Sequence, residues 1–155
     1  MIELIDYFEP EINSFDLEIE DKEKALNFIL NKFKKSKNIL DFEKLKRDIF
    51  EREKIYTTGV GNGLALPHAV TDAVKTLTIS FNIFKKPIKN YDSFDGKPVY
   101  IVIMFASNPK DRSLHIQLIG KISRMFLTSD FKERLLKCTN NEELYKILED
   151  FENLK

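Results

Sequence analysis

Two apolar segments, residues 77–84 and 99–105, constrain the fold of this chain most strongly. Both are rich in β-branched and aromatic residues, a composition that favours strands in the middle of a sheet. Pro87 and Pro98 lie between the two segments and interrupt regular structure there. The pattern therefore predicts two central β-strands separated by an irregular stretch.

The N-terminal part of the chain predicts one further strand and two helices. Residues 15–20 alternate between apolar and acidic side chains, which is the period-two pattern of a half-buried strand. From Asp21 onward, apolar residues recur at helical spacing as far as Phe33, and this predicts an amphipathic helix capped by Asp21. The same pattern predicts a second helix over residues 41–53.

The C-terminal part predicts three helices, at residues 114–127, 130–137 and 141–154. The last of them begins with a capping-box pattern formed by Asn140 and Glu143. Strands interspersed with helices in a chain of 155 residues predict a single α/β domain over residues 1–155. We expect a layered domain in which a mixed β-sheet is flanked by helices, although the order of the strands does not follow from the pattern.

Charge and apolar distribution exclude several classes of partner. Lys plus Arg and Asp plus Glu number 25 each, so no overall field attracts nucleic acid or an anionic membrane. No apolar run approaches the roughly 20 residues of a transmembrane helix, and residues 1–10 are acidic where a signal peptide would be basic. We expect a cytoplasmic protein without direct membrane insertion. The single cysteine, Cys138, excludes an internal disulfide and is expected to be buried in a helical segment.

Residues 57–63 contain three alternating glycines, which adopt backbone conformations closed to most residues, and the segment is predicted to be a loop. Leu66 is pushed toward extended geometry by Pro67, so His68 is expected to emerge from a strand end beside this loop. A neutral imidazole in that setting can attack a phosphoryl group. A ring that merely hydrogen-bonds a neighbouring carbonyl explains the same residues equally well.

The two other candidate residues, His115 and Arg52, each allow two interpretations. His115 shares a helical stripe with Leu118 and Ile122, which indicates the edge of the core. It also lies in the first turn of its helix, where free amides favour an anion. Arg52 is flanked by glutamates near a helix end, and it is either a solvated charge or a guanidinium clamp for phosphate.

Motifs for several other chemistries are missing. Gly59, Gly61 and Gly63 have neither the G-x-G-x-x-G spacing of a dinucleotide fingerprint nor the Gly-Lys-Ser/Thr end of a Walker loop. Two distant histidines and one cysteine are too few for a typical zinc site. We expect neither a metal nor a cofactor.

Two segments of the chain together resemble a known family. The pair Arg52-Glu53 and the eleven residues 58–68 resemble the signature of the fructose- and mannitol-type IIA domains of the phosphoenolpyruvate-dependent sugar phosphotransferase system. The similarity continues through residues 92–99 and 114–119. One departure is Tyr91, at a position where the family often has tryptophan or phenylalanine.

The resemblance implies a role for each candidate residue. His68 matches the histidine that is phosphorylated in such domains, and His115 and Arg52 match residues that assist at the same site. The residues that match the phosphate-site loop are Thr58, Gly59, Gly61 and Gly63.

The implied function is that of a phosphotransferase with a phosphohistidine intermediate. His68 would accept a phosphoryl group from an HPr-type phosphocarrier protein and donate it to the IIB component of a permease for sugars of the fructose or mannitol class. The alternative is a nitrogen-type regulatory IIA protein, whose phosphorylation state controls binding to other proteins. A third hypothesis, a binding module with an inert His68, is disfavoured because Arg52, His68 and His115 are all present.

Overall fold

The computed structural model describes residues 2–154 of the chain. Within that range one mixed sheet of six strands is flanked by five α-helices. The strands are β1 (Ser14–Leu17), β2 (Gly59–Gly61), β3 (Leu64–Ala65), β4 (His68–Val70), β5 (Thr78–Ile88) and β6 (Val99–Ser107). The helices are α1 (Lys22–Phe33), α2 (Phe42–Ile55), α3 (Arg112–Leu127), α4 (Ser129–Leu136) and α5 (Asn141–Glu152). The short 3-10 segments are Leu4–Tyr7, Pro10–Ile12 and Pro109–Asp111.

The middle of the sheet is the antiparallel pair β5 and β6, which confirms the central strands predicted from the two apolar segments. The strand order is β1-β5-β6-β3-β2, and β4 also pairs with β6. β1 runs parallel to β5, β3 and β4 run parallel to β6, and β2 is antiparallel to β3. The predicted fold class, an α/β domain with a mixed sheet, is confirmed.

β5 is longer than predicted because it passes through Pro87 and ends at Ile88. Proline has no N–H to donate to a neighbouring strand, so strands accept it at edges and irregularities. The register of β5 against β6 shifts between Ile83 and Ile88, and this irregularity accommodates the proline. Pro87 thus lies at an irregular point within a strand and does not end it.

Apolar side chains cover both faces of the sheet. On one face, Phe81 and Phe105 pack in a core with α3, α4 and α5. On the other face, Phe84 and Met104 pack in a core with α1 and α2. Because alternate residues of a strand point to opposite faces, strands covered on both sides have to be apolar along most of their length. The continuous apolar runs in the sequence are the result.

Three helices begin where their capping residues predict. The side chains of Asp21, Asp41 and Asn140 each accept a hydrogen bond from the backbone N–H three residues later, at 2.9–3.1 Å. Each bond satisfies an amide that the first turn of a helix leaves without a partner. The Glu143 carboxylate accepts from the backbone N–H of Thr139, one residue before the capping position that a capping box would use.

The prediction of a loop over residues 57–63 is wrong in part, because Gly59–Gly61 is strand β2. β2 pairs with β3 in a tight hairpin whose turn is Asn62-Gly63, with φ values of 58° and 77°. Asn and Gly are the residues that adopt positive φ most readily, so this pair closes a two-residue hairpin. Gly59 and Gly61 are therefore residues of a strand, and Gly63 belongs to its turn.

His68 is the first residue of β4, whereas the sequence predicted that it would follow a strand end. β3 stops at Ala65, and pairing with β6 resumes at His68 after the interruption at Pro67. Cys138 is buried as expected, but it lies two residues beyond α4 and not within a helix. Burial raises the pKa of its thiol to about 11. None of the helices in residues 2–154 has the length and apolar character needed to cross a membrane.

Candidate active site

The pairing of β4 with β6 determines where the ring of His68 lies. In this register His68 is the direct neighbour of Phe105, and the Pro67 carbonyl accepts from the Phe105 N–H at 3.1 Å. Directly paired residues project from the same face of a sheet. The two rings are accordingly stacked, with centroids 5.1 Å apart and planes inclined by 14°.

His115 reaches the same place from α3. This helix starts directly after the 3-10 segment that follows β6, so its first turn lies beside the end of that strand. The His115 ring is 4.8 Å from the His68 ring and 5.1 Å from the Phe105 ring, centroid to centroid. Buried Ser107 at the end of β6 has its hydroxyl 3.4 Å from Nδ1 of His115. The fold thus brings the two histidines of the sequence into contact.

The protonation of the His68 ring follows from a single hydrogen bond. Nδ1 lies 2.7 Å from the carbonyl oxygen of Leu66, which only accepts hydrogen bonds. Nδ1 therefore carries the hydrogen, and in the neutral ring the lone pair is on Nε2. The two interpretations of His68 are compatible, because the hydrogen bond from Nδ1 to a carbonyl leaves Nε2 with a lone pair that can act as a nucleophile.

Both rings are held in their neutral form. Loss of hydration lowers the pKa of His68 below its ordinary 6.5, and the positive charge of Arg52 acts in the same direction. The bond to Leu66 and the charge of Glu53 oppose that change. Burial lowers the pKa of His115 to about 4, with further contributions from His68, Arg112 and Arg52. At neutral pH the pair is uncharged, and the nearby fixed charges that act on it are those of Arg52, Arg112 and Glu53.

Arg52 is anchored at the C-terminal end of α2. Its guanidinium donates to the carbonyl oxygen of Tyr56 at 2.9 Å, which holds the side chain. A guanidinium has five N–H donors, so this bond uses only part of its capacity to bind an anion. Its charge lowers the pKa of both His68 and His115. A guanidinium whose positive charge acts on two neutral imidazoles suits an anion such as a phosphoryl group.

The residues predicted to form a phosphate-site loop have other contacts. Thr58 is buried and its hydroxyl donates to the Glu53 carboxylate at 2.6 Å. Gly59 is pressed against the chain at Asp92, since a Cβ at this position would lie 2.1 Å from the carbonyl oxygen of that residue. Gly61 and Gly63 have positive φ angles in the hairpin and lie near Asp95 and Tyr100. These four residues shape the segment that leads to His68.

The sequence matches a known family model over almost its whole length. The model is described as "Phosphoenolpyruvate-dependent sugar phosphotransferase system, EIIA 2", and it matches residues 6–151. The chain belongs to this family. The resemblance inferred from the signature around His68 is thereby confirmed.

The matched region makes up most of one relative of this IIA protein and a small part of another. The fructose-specific EIIA component of Haloferax volcanii is 31% identical over 127 residues, which is 82% of each chain. The fructose-specific EIIABC component of Bacillus subtilis is 26% identical over 133 residues, or 86% of the present chain. The present chain spans only 21% of the length of that larger protein.

Solved structures share the fold of this IIA protein. Nitrogen regulatory protein IIA-Ntr from Neisseria meningitidis has a TM-score of 0.84 and 25% identity, over 94% of this chain and 98% of that one. The complex of enzyme IIAMTL and phosphorylated enzyme IIBMTL from Escherichia coli contains a chain with a TM-score of 0.78 and 20% identity. That match covers 92% of this chain and 97% of the other. At that identity the second likeness concerns the fold alone.

The histidine pair of this IIA protein is also contacted or influenced by four residues to which the sequence assigned no role, namely Phe105, Ser107, Arg112 and Glu53. Phe105 and Ser107 are alternate residues of β6, so they share a face, and both lie against His115. Arg112, the first residue of α3, contributes a positive charge at His115. Glu53 is buried although it is a carboxylate. The sequence did contain a sign of this, because Leu45, Ile49 and Glu53 recur every four residues along the buried face of α2.

An apolar surface patch, made of Ile55, Tyr56 and Phe94, lies at the same end of α2 as Arg52. Their exposed fractions are 78%, 61% and 62%, and the rings of Tyr56 and Phe94 are in edge contact at 5.6 Å. Apolar side chains grouped on a surface mark sites of protein contact.

Over residues 2–154, no group of three or more His, Cys, Asp or Glu residues could hold a metal ion.

Proposed function

We propose that this IIA protein carries a phosphoryl group on Nε2 of His68. It takes the group from an HPr-type phosphocarrier protein and passes it to the IIB component of a sugar permease. The observation that carries the proposal is the hydrogen bond from His68 Nδ1 to the Leu66 carbonyl, because it leaves the lone pair on Nε2. The closeness of His115 and the charge of Arg52 add to it.

The transfer is a displacement at phosphorus in which atoms and charges balance. The lone pair of His68 Nε2 attacks the phosphorus of the carrier's phosphohistidine, the new N–P bond forms, and the N–P bond in the carrier breaks with its electron pair. The His68 Nδ1 hydrogen stays on its nitrogen and continues to donate to Leu66. No proton has to leave the ring during the step. Passing the group to an acceptor reverses these roles.

Arg52 and His115 supply electrostatic support for this step. Phosphoryl transfer spreads negative charge over the equatorial oxygens, and catalysis depends on donors placed where that charge develops. The guanidinium of Arg52 offers a fixed positive charge. Neutral His115 offers a ring N–H, and the centroid of its ring lies 4.8 Å from that of the His68 ring. We assign Thr58, Gly59, Gly61 and Gly63 to shaping the segment that presents His68.

The partners and the setting are inferred from relatives and from the exposed patch. The E. coli structure with the same fold is a complex with phosphorylated IIB, which supports a IIB acceptor here. The patch of Ile55, Tyr56 and Phe94 supplies apolar surface beside Arg52 for a transient partner. Relatives named as fructose-specific support a sugar of the fructose or mannitol class. We place the protein in the cytoplasm as one IIA domain over residues 1–155.

A regulatory role is the second candidate. The Neisseria nitrogen regulatory protein shares the fold with a TM-score of 0.84 and is covered over 98% of its length. In that case phosphorylation of the same His68 would control binding to other proteins, and a IIB acceptor would not be needed. Both candidates share the first half of the reaction.

The test is phosphorylation of the purified protein by phosphoenolpyruvate, enzyme I and an HPr-type carrier. We expect the wild type to take up one acid-labile phosphoryl group and His68→Ala to take up none. Full labelling of His68→Ala would overturn the proposal, as would absence of label on the wild type with a cognate carrier. Adding IIB then separates the two candidates, because transfer of the label to IIB supports sugar uptake and its retention supports regulation.

A further inference from the structure

Glu53 lies at the centre of a buried polar cluster next to the histidine site. Its side chain is 6% exposed. Its Oε2 accepts from Lys22 Nζ at 2.9 Å and from the backbone N–H of Thr58 at 3.0 Å. Its Oε1 accepts from the Thr58 hydroxyl at 2.6 Å and lies 3.3 Å from the hydroxyl of Tyr91. We name these four residues, Lys22, Glu53, Thr58 and Tyr91, the Glu53 cluster.

The cluster joins separate parts of the chain. Lys22 is the first residue of α1, Glu53 is in the last turn of α2, Thr58 precedes β2 and Tyr91 lies between β5 and β6. Tyr91 donates to the Thr58 hydroxyl at 2.6 Å, because the hydrogen of that hydroxyl is already directed at Glu53. Burial and the charge of Glu53 raise the pKa of Tyr91, so it keeps its proton. A buried carboxylate requires such a set of donors, and removing one leaves a costly charge.

A chain of hydrogen bonds leads from this cluster to the nucleophile. The backbone N–H and hydroxyl of Thr58 are fixed by Glu53, and the carbonyl of Thr58 accepts from the Leu66 N–H at 3.0 Å. The carbonyl of Leu66 in turn accepts from Nδ1 of His68 at 2.7 Å. The position of Thr58 thus bears on the position of the carbonyl that selects the His68 tautomer.

We propose that Glu53 is a positioning residue for the transfer reaction. By fixing Thr58 it keeps the Leu66 carbonyl aimed at His68 Nδ1, and this holds the ring in the form with the lone pair on Nε2. The inference rests on the proposed function of His68. The neighbours Arg52 and Glu53 then have separate tasks. Arg52 binds the phosphoryl group, and buried Glu53 orients the nucleophile His68.

The test compares Glu53→Gln with Glu51→Gln. The first variant keeps the size of the side chain but removes the charge that holds Lys22 and both groups of Thr58. Glu51 is exposed on the same helix and serves as the matched control. Nitrogen-15 imidazole spectra of the unphosphorylated proteins at about pH 7.5 report the tautomer of His68 directly. Labelling by the phosphorylated carrier reports the rate.

We expect wild type and Glu51→Gln to show His68 in the single form with Nδ1 protonated. Glu53→Gln is expected to show a mixture of tautomers and to be labelled at least about tenfold more slowly, the scale of loss caused by a misplaced reacting group. A wild-type tautomer together with a labelling rate within about twofold of wild type would overturn the inference.

Thr58→Val is the second variant, for the case that Glu53→Gln does not fold. It removes one hydroxyl and keeps the backbone N–H, so we expect the same changes with a smaller loss of rate, about threefold. A folded Thr58→Val with the wild-type spectrum and rate would then overturn the inference. Failure of the proposed function looks different, because an unlabelled wild type leaves the comparison of tautomers in place.

Discussion

In the proposed transfer, His68 and its immediate neighbours set the conditions under which the phosphoryl group is accepted. Only the neutral imidazole has a lone pair on Nε2, so a proton on that nitrogen blocks the reaction. Burial and the charge of Arg52 lower the pKa of His68, whereas the Leu66 carbonyl and Glu53 raise it. The net direction is downward, and the nucleophile is free at neutral pH.

The rate of phosphate acceptance should therefore depend on pH in a specific way. We expect a plateau above about pH 7 and a decline as the pH falls through a pKa below the ordinary value of 6.5. Arg52→Gln removes a positive charge that disfavours protonation, so the pKa of His68 rises and the decline begins at a higher pH. Rates from rapid quenching, each divided by the plateau of the same variant, test this. Profiles that superimpose would show that Arg52 does not set the pKa.

Among the elements, the hairpin of β2 and β3 needs glycines for its close packing at Gly59 and its positive φ angles at Gly61 and Gly63. Its strand β2 lies against the segment that begins at Asp92, and the Phe94 N–H donates to the Gly59 carbonyl at 3.0 Å. The approach is so close that a Cβ on Gly59 would meet a carbonyl oxygen. The hairpin and the 92–98 segment consequently form one packed unit ahead of His68.

Gly59→Ala should lower the free energy of unfolding by about 1–3 kcal/mol, because the added methyl group forces backbone apart. Gly120→Ala is the matched control, since Gly120 is exposed within α3 and a Cβ there would meet nothing within 4 Å. That control should raise the free energy of unfolding by about 0.5–1 kcal/mol through helix propensity. Urea unfolding of both variants measures the two values. Equal effects would contradict the packing argument.

Periodicity, capping residues and strand-favouring composition were enough to predict most elements, because those features act within a few residues of chain. The five helices, β1 and the central pair were all located in this way. The strand at Gly59–Gly61 was not, because three glycines give no side-chain pattern and its pairing depends on β3 and on Asp92. The strand order was not predictable either. β3 ends before Pro67 and β4 begins after it, yet both pair with β6.

At the scale of the whole molecule, α3 connects the histidine site to both ends of the described chain. Lys121 on this helix is paired with Glu152 on α5, and both side chains are nearly buried. The other oxygen of Glu152 accepts from the Leu4 N–H at 2.9 Å, and Gln117 accepts from the Ile2 N–H at 2.9 Å. The helix that carries His115 is therefore fixed by contacts remote from the site.

Lys121→Met should lower the free energy of unfolding by about 3–5 kcal/mol, because it leaves the Glu152 carboxylate buried without its cation. Adding Glu152→Gln removes that charge and keeps an oxygen for the Leu4 N–H, so the double variant should recover most of the loss. Urea unfolding of the single and double variants measures both effects. Additive losses would show that the two side chains act independently.

The sequence was sufficient to nominate His68, His115 and Arg52, and the fold brings the two rings within 4.8 Å. It was insufficient for the Glu53 cluster, whose members come from four separate stretches of chain and meet only in the folded molecule. The spacing along α2 indicates that Glu53 lies on a buried face, but the hydrogen bonds of the cluster depend on tertiary contacts between separate segments.

The stacking of His68 on Phe105 also offers a way to follow the proposed phosphorylation of His68 by proton NMR. With ring centroids 5.1 Å apart and planes inclined by 14°, the two rings are close enough for the ring current of Phe105 to act on the carbon-bound protons of His68. We therefore expect their resonances to differ from those of a free histidine. The sequence contains only two histidines, so this region of a proton spectrum is sparsely populated. The arrival and departure of the proposed phosphoryl group can then be followed in real time, without a radioactive label.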